Sequence, residues 1–195
     1  MKKVILFFCI LAIASGMGFA VDFTQGPESV WPGDILISGG FSMGSTSGSY
    51  EESGSWSGSA SASTSGFTLA VDYALEMYGL TVGGEIAYTS GSTWDFSLGA
   101  MAFMGRLGYH PDFEVFNLDL YALAKLGFAR GSAGDVSALG LGIGFGIGGR
   151  YFFSGNLGGF AELGLDSYFF SVNEGYISYD VTGKKFFTLG ITYRL

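Results

Sequence analysis

Cysteine is nearly missing from this chain. Its one example, Cys9, lies in an apolar run close to the N-terminus, so the remaining sequence can build no disulfide framework, thiolate zinc site or cysteine nucleophile. Proline occurs three times and histidine once, as His110. Basic residues are also scarce, nine Lys and Arg against seventeen Asp and Glu, and a chain with that balance makes a poor partner for nucleic acid. What is abundant instead is glycine, with 34 residues, together with 19 Phe and 11 Tyr. That much glycine argues against an all-helical fold.

The first residues read as a processing signal. Lys2 and Lys3 form a charged start, residues 4–13 an apolar core, and Gly18-Phe19-Ala20 a small-x-small cleavage site. The expected organisation is a signal peptide at 1–20, a periplasmic N-terminal lead at 21–33 and a single barrel domain at 34–195. Loss of Lys2 and Lys3 leaves seven basic and seventeen acidic residues, a net charge of −10.

From about residue 34 one pattern dominates, alternation with period two. Leu80, Val82, Gly84, Ile86 and Tyr88 share one face of an extended segment, opposite Thr81, Gly83, Glu85, Ala87 and Thr89. The segment before it places Phe67, Leu69, Val71, Tyr73 and Leu75 opposite Thr68, Ala70, Asp72, Ala74 and Glu76. Eight such strands are expected, at 34–44, 63–77, 79–90, 93–109, 115–130, 137–153, 156–170 and 185–195. Tight connections at 77–79, 110–114 and 153–156 alternate with longer ones at 45–62, 131–136 and 171–184, plus a short Ser90-Gly91-Ser92 turn. Strands of ~10 residues with short turns on one side and longer loops on the other suit a transmembrane antiparallel up-and-down β-barrel, both termini periplasmic. Unpaired backbone groups in hydrocarbon cost several kcal/mol each, so such a sheet must close. Eight strands leave an interior that side chains largely fill.

Residues 137–153 alternate Leu139, Leu141, Ile143, Phe145 and Ile147 with Gly140, Gly142, Gly144, Gly146 and Gly148. A transmembrane helix with a small-xxx-small face is the rival. Alternate glycine suits a wall whose inner face is crowded, whereas a helix would weaken itself with glycine around its whole circumference. Aromatics gather near strand ends: Tyr73, Tyr78, Tyr88, Trp94, Tyr109, Phe116, Phe128, Tyr151, Phe153, Phe169, Phe187 and Tyr193. The strand at 93–109 is ambiguous. Met101, Phe103 and Leu107 oppose an already apolar face, so a bulge could switch the phase or Met101 and Phe103 could fill the lumen; Arg106 is inward only without such a switch.

Strand parity sends Asp72, Glu76, Glu85, Asp119, Lys125, Arg150, Glu162, Asp166, Arg194 and Arg106 inward. Counted from the strand ends, Asp72, Glu85, Arg106, Asp119, Arg150 and Glu162 fall in one layer, with Lys125 and Asp166 higher in the lumen. Buried opposite charges at one level should pair into a network that closes or gates the barrel. Solvated charges in a wet lumen are the alternative. The excess of acids predicts that any leak prefers cations.

The final stretch, Phe187-Thr188-Leu189-Gly190-Ile191-Thr192-Tyr193-Arg194-Leu195, puts Phe187, Leu189, Ile191, Tyr193 and Leu195 on one face. It resembles the terminal-strand signal read by the barrel-assembly machinery, though family members typically end in Phe where this chain has Leu195. With the eight-strand pattern, the chain resembles the small bacterial outer-membrane barrels of the OmpX, OmpA membrane-domain and OmpW type. The resemblance implies a monomer in outer-membrane lipid, with the assembly machinery and periplasmic chaperones as biogenesis partners.

Beyond the strands, residues 44–66 are almost wholly Ser, Gly, Thr and Ala, and the odd positions from Ser55 to Ser65 are all serine. That segment, at 45–62, could rise above the lipid as a polar sheet edge open to a partner strand or stay a solvated loop. Residues 171–184, with Tyr176, Tyr179 and Asp180, form a second candidate contact surface. Enzyme chemistry has little support. His110 precedes Pro111 and Asp112 in a short turn with no identifiable nucleophile. No phosphate loop opens a helix and no metal-ligand spacing is present, so neither cofactor nor metal is expected. Three function classes follow: a structural or surface-interaction barrel, a narrow channel for small or apolar solutes as an OmpW resemblance would imply, and a soluble lipocalin-like binder. The last would bury its large aromatics in the cup rather than display them.

Overall fold

A computed structural model describes residues 30, 32–52, 56–76, 79–92, 97–111, 118–133, 136–174 and 177–195. Eight strands follow in chain order: β1 Ile35–Glu52, β2 Trp56–Ala74, β3 Leu80–Ser92, β4 Ser97–Tyr109, β5 Leu118–Ala133, β6 Val136–Phe152, β7 Leu157–Glu174 and β8 Ile177–Arg194. Each pairs antiparallel with its sequence neighbour, and β8 returns to pair with β1, so the sheet closes into a barrel. No helix among the described residues is long and apolar enough to cross a membrane, and the glycine-alternating segment is β6.

The alternation decides which face is which. Leu139, Leu141, Phe145 and Ile147 of β6 are exposed on the outer wall, Leu139 to 74%, and so are Phe67, Leu69 and Val71 of β2 and Ile86 and Tyr88 of β3. The opposite parity is buried: Ala70, Asp72, Thr81, Glu85, Ala87 and Arg150 among others. An apolar exterior around a polar interior inverts a soluble barrel and suits lipid. Outer aromatics lie near both ends, including Tyr73, Tyr109 and Tyr193 towards the termini and Phe67, Tyr88, Phe128 and Phe169 towards the far end. Phe67 and Tyr88 stack with ring centroids 5.6 Å apart. Tyr78, Trp94 and Phe116 lie outside the described residues.

Inward glycines make room for larger neighbours. A Cβ on Gly142 would strike the Met104 sulfur, one on Gly144 the Asp166 carboxylate, and one on Gly148 the Tyr121 ring. Gly79, with φ +66°, takes the left-handed conformation of the β2–β3 turn, and its carbonyl accepts the His110 amide at 2.7 Å.

Three expectations are corrected. The far-end segments 45–62 and 171–184 are mostly strand rather than long loops. Ser45 pairs with Ser63 and Ser47 with Ser61, while Asp180 pairs with Ser171 and with Ser49. Connections at that end occupy only 53–55, 93–96, 134–135 and 175–176. Serine and threonine carry little hydropathy contrast, yet their backbones complete a ladder as well as any, and Thr46, Ala62 and Thr64 continue the buried parity. Second, β4 contains no phase switch: Ala100, Ala102, Met104 and Arg106 face in, while Met101 and Phe103 face out and are no lumen filler. Third, Glu76 lies past the end of β2 and is exposed, because the strand stops at Ala74.

Candidate functional site

The lumen is built in layers. At the terminal end Arg194 lies over the Phe152 ring, its carbon 4.8 Å from the centroid, donates to the Gly155 carbonyl and stands 4.0 Å from Asp34. Leu36, Phe152 and Phe160 are buried beside it.

The middle layer is ionic. Arg106 of β4 points its guanidinium at three carboxylates on three strands: Nε to Asp72 at 3.0 Å, Nη1 to Glu85 at 2.5 Å and Nη2 to Glu162 at 2.9 Å. Asp72 also accepts Arg150 at 3.1 Å, and Arg150 reaches on to Asp119 at 3.1 Å while its guanidinium covers the Tyr121 ring at 4.2 Å. Lys125 lies 2.9 Å from Glu85, 3.5 Å from Glu162 and 3.1 Å from Asp166. Lys185 pairs with Glu85 and, at 2.8 Å, with Asp166. Tyr121 donates its hydroxyl to Glu162 at 3.2 Å.

Every strand but β1 contributes a charged side chain, and all nine are buried. The six residues read from the sequence as one layer are in one connected cluster, and Lys125 and Asp166 join it rather than forming a separate group above. Three contacts to Arg106 use its planar fork of donors, a geometry an ammonium could not supply. Each carboxylate has at least one cation within hydrogen-bond range, which is what makes such charges tolerable away from water. Beside Lys125, Glu162, Asp166 and Lys185 the free space is about 10 Å³, room for no more than a water.

Above the charges comes an apolar layer of Ala87, Ala102, Met104, Ala129, Tyr168 and Phe170 packed across the lumen. Ions approaching from the far end would meet this layer first.

Lys185 was not legible from parity. With Phe187, Leu189 and Ile191 facing out, a regular strand would turn Lys185 to the lipid as well. Instead Met43 faces Phe187 and Gly44 faces Lys185, so Phe186 has no partner on β1, and the β7 register shifts at the same point. The bulge makes Thr188 and Lys185 both inward despite their odd spacing, and exposes Phe186 on the outer wall. The signal was present as Lys184-Lys185-Phe186-Phe187, two like pairs in succession where alternation should continue. With Lys185 entering and Glu76 leaving, five carboxylates stand against four cations in the cluster, so the acid excess behind the expected cation preference narrows to one.

His110 has partners that no sequence spacing showed. Its Nδ1 is 2.7 Å from Asp119 and its Nε2 3.1 Å from the Thr81 hydroxyl, with Tyr121 stacked at 5.3 Å. The order hydroxyl, imidazole, carboxylate resembles a nucleophile–base–orienter array. Thr81 is 2% exposed, however, and Arg150 shares Asp119, so the array ties the β2–β3 and β4–β5 turns into the ionic layer. Within the described residues no group of His, Cys, Asp and Glu could hold a metal.

Of the terminal-strand residues, Ile191, Tyr193 and Leu195 are exposed on the outer wall and Phe187 and Leu189 half-buried there.

No protein-family model and no curated protein matches the chain in sequence. Solved structures do match in shape. The outer membrane protein OprG from Pseudomonas aeruginosa superposes with a TM-score of 0.59 at 15% identity, covering 87% of this chain and 99% of that one. Neisserial surface protein A superposes with a TM-score of 0.53 at 13% identity, covering 83% of this chain and 97% of that one. At these identities the likeness is one of fold: an eight-stranded antiparallel closed barrel of the kind those outer-membrane and surface proteins adopt.

Proposed function

We propose that the chain is a small outer-membrane β-barrel protein with a structural or surface-interaction role and a plugged lumen. The observation that carries this is the ionic layer, nine buried charges from seven strands joined in one network and capped by an apolar layer. A water-filled pore needs a continuous wet path, and a cluster whose charges satisfy one another leaves no site at which a passing ion gains what it loses by dehydration. The apolar outer wall supports a bilayer location. The serine-rich upper parts of β1 and β2, with β7 and β8 rising beside them, supply a polar surface above it. Residues 1–20 act as an export signal, 21–33 as a periplasmic lead, and Phe187, Leu189, Ile191, Tyr193 and Leu195 as the assembly signal.

Planar-bilayer recording of the refolded protein tests the plug: the expected result is no steady conductance, and stable open channels from the unaltered protein would overturn it. Orientation can be tested separately because no cysteine follows Cys9. A Ser61→Cys variant should react with a membrane-impermeant maleimide on intact cells, and a Ser154→Cys variant only after the outer membrane is breached. The reverse pattern would invert the proposed topology.

A further inference from the structure

The outer wall carries a second feature that the plug does not explain. Across β2, β3, β4 and β5 one rung of the sheet runs Phe67, Tyr88, Met101, Arg130, and the next outward-facing rung towards the far end runs Ser65, Ser90, Gly99, Ser132. Within one pleat the same face passes from large apolar and aromatic groups to hydroxyls. Beyond Tyr88 the wall is concave, a cleft of about 570 Å³ lined by Ser63, Ser65, Ser90, Ser92, Ser97 and Ser132. Tyr88, Leu98 and Gly91 line it too, and Gly99, on the same outward rung as Ser90 and Ser132, leaves it open by lacking a side chain. A Cβ on Gly99 would press on the Ser132 hydroxyl at 3.1 Å. Among the described residues no carboxylate lines the cleft. Arg130, exposed one pleat below Ser132, donates to the Ser137 hydroxyl at 3.2 Å.

We propose that this cleft binds the phosphorylated sugar headgroup of a membrane glycolipid, a reading that rests on the barrel spanning an outer membrane. Its volume falls in the range of small-molecule sites. Uncharged hydroxyls in number match a polyol, the Tyr88 ring offers a face for a sugar, and Arg130 offers planar donors to a phosphate. An acyl chain is a poor occupant, since it would leave serine hydroxyls without partners. The location selects the source: the floor of the cleft is the edge of the apolar belt, the level at which a headgroup begins, so the ligand's own acyl chains would lie against Phe67, Met101 and Phe128.

The test uses the refolded full-length barrel in phosphatidylethanolamine vesicles doped with equal amounts of either lipid A, a diphosphorylated disaccharide lipid, or phosphatidylglycerol. Native mass spectrometry after detergent extraction reads the retained lipid. Lipid A should be retained about tenfold more tightly than phosphatidylglycerol, the difference expected of one or two charge-assisted hydrogen bonds. Arg130→Gln and, independently, Ser90→Val with Ser132→Val should each remove most of that preference while leaving insertion intact. Equal retention of the two lipids, or variants that bind like the parent, would overturn the site while the barrel reading stands. Failure to insert into either vesicle would overturn both. Displacement of lipid A by free glucosamine 1-phosphate at micromolar concentration would assign the cleft to a soluble sugar and overturn the membrane source.

Discussion

Two strands of nearly equal length solve the same problem in opposite ways. β6 holds one phase from Ser137 to Phe152: its large side chains from Leu139 to Ile147 lie on the outer wall, and its inner face over that stretch is glycine, which makes room for groups sent across by β4, β5 and β7. β8 holds no single phase. It inserts Phe186, flips, and delivers Lys185 to Glu85 and Asp166 on the other side of the wall. β6 keeps its phase and still lands Arg150 in the ionic layer, whereas β8 reaches Glu85 and Asp166 only by breaking its register. The lumen's demand for a fourth cation outweighs the cost of one broken ladder position.

That contrast can be broken in order of expected effect. Exchanging the two residues (Lys185→Phe with Phe186→Lys) should put the lysine on the outer wall and a ring in the lumen, leaving Glu85 and Asp166 each a cation short. A mid-bilayer lysine costs about 2–4 kcal/mol and an unpaired buried charge about 3–5 kcal/mol. The variant should therefore fail to reach the compact, heat-modifiable form on cold gel electrophoresis, and normal folding would refute the role given to the bulge. Replacing Ile143 of β6 by Lys sharpens the comparison, because there the charge has no phase change to rescue it; a loss of about 2–4 kcal/mol should appear as a lower urea midpoint in lipid vesicles. Gly142→Leu asks the receiving strand to fill space that Met104 already holds, and should cost about 1–3 kcal/mol by the same assay. Ser137→Ala, which removes only an exposed partner of Arg130, should move the midpoint by less than about 0.5 kcal/mol.

The sequence showed most where side chains differ most. In β2, β3 and β6, Leu, Ile, Val and Phe against Gly, Ala and acids announce both the strand and its facing, and parity there brought Asp72, Glu85 and Arg150 to one level. It showed less at 45–62, where serine alternates with alanine, glycine or threonine and hydropathy barely changes, so the ladder of Ser45 with Ser63 had no visible amplitude. Lys185 was hidden because period-two reasoning fails across a bulge. His110 was hidden for another reason: Thr81 and Asp119 come to it from the starts of two different strands, β3 and β5, and no spacing in a line of residues encodes a meeting across a closed sheet.

One seam differs from all others. Seven neighbouring strand pairs are also neighbours in sequence, but β1 and β8 lie at opposite ends of the strand order, and their ladder begins where Ile35 and Leu195 exchange backbone bonds at 3.3 and 2.9 Å. Contacts so distant along the chain form slowly, since a long loop must close before any of them rewards it. The tube therefore cannot be finished piecemeal: until β8 reaches β1, a growing sheet carries two raw margins, and whatever accompanies its folding must shelter both at once.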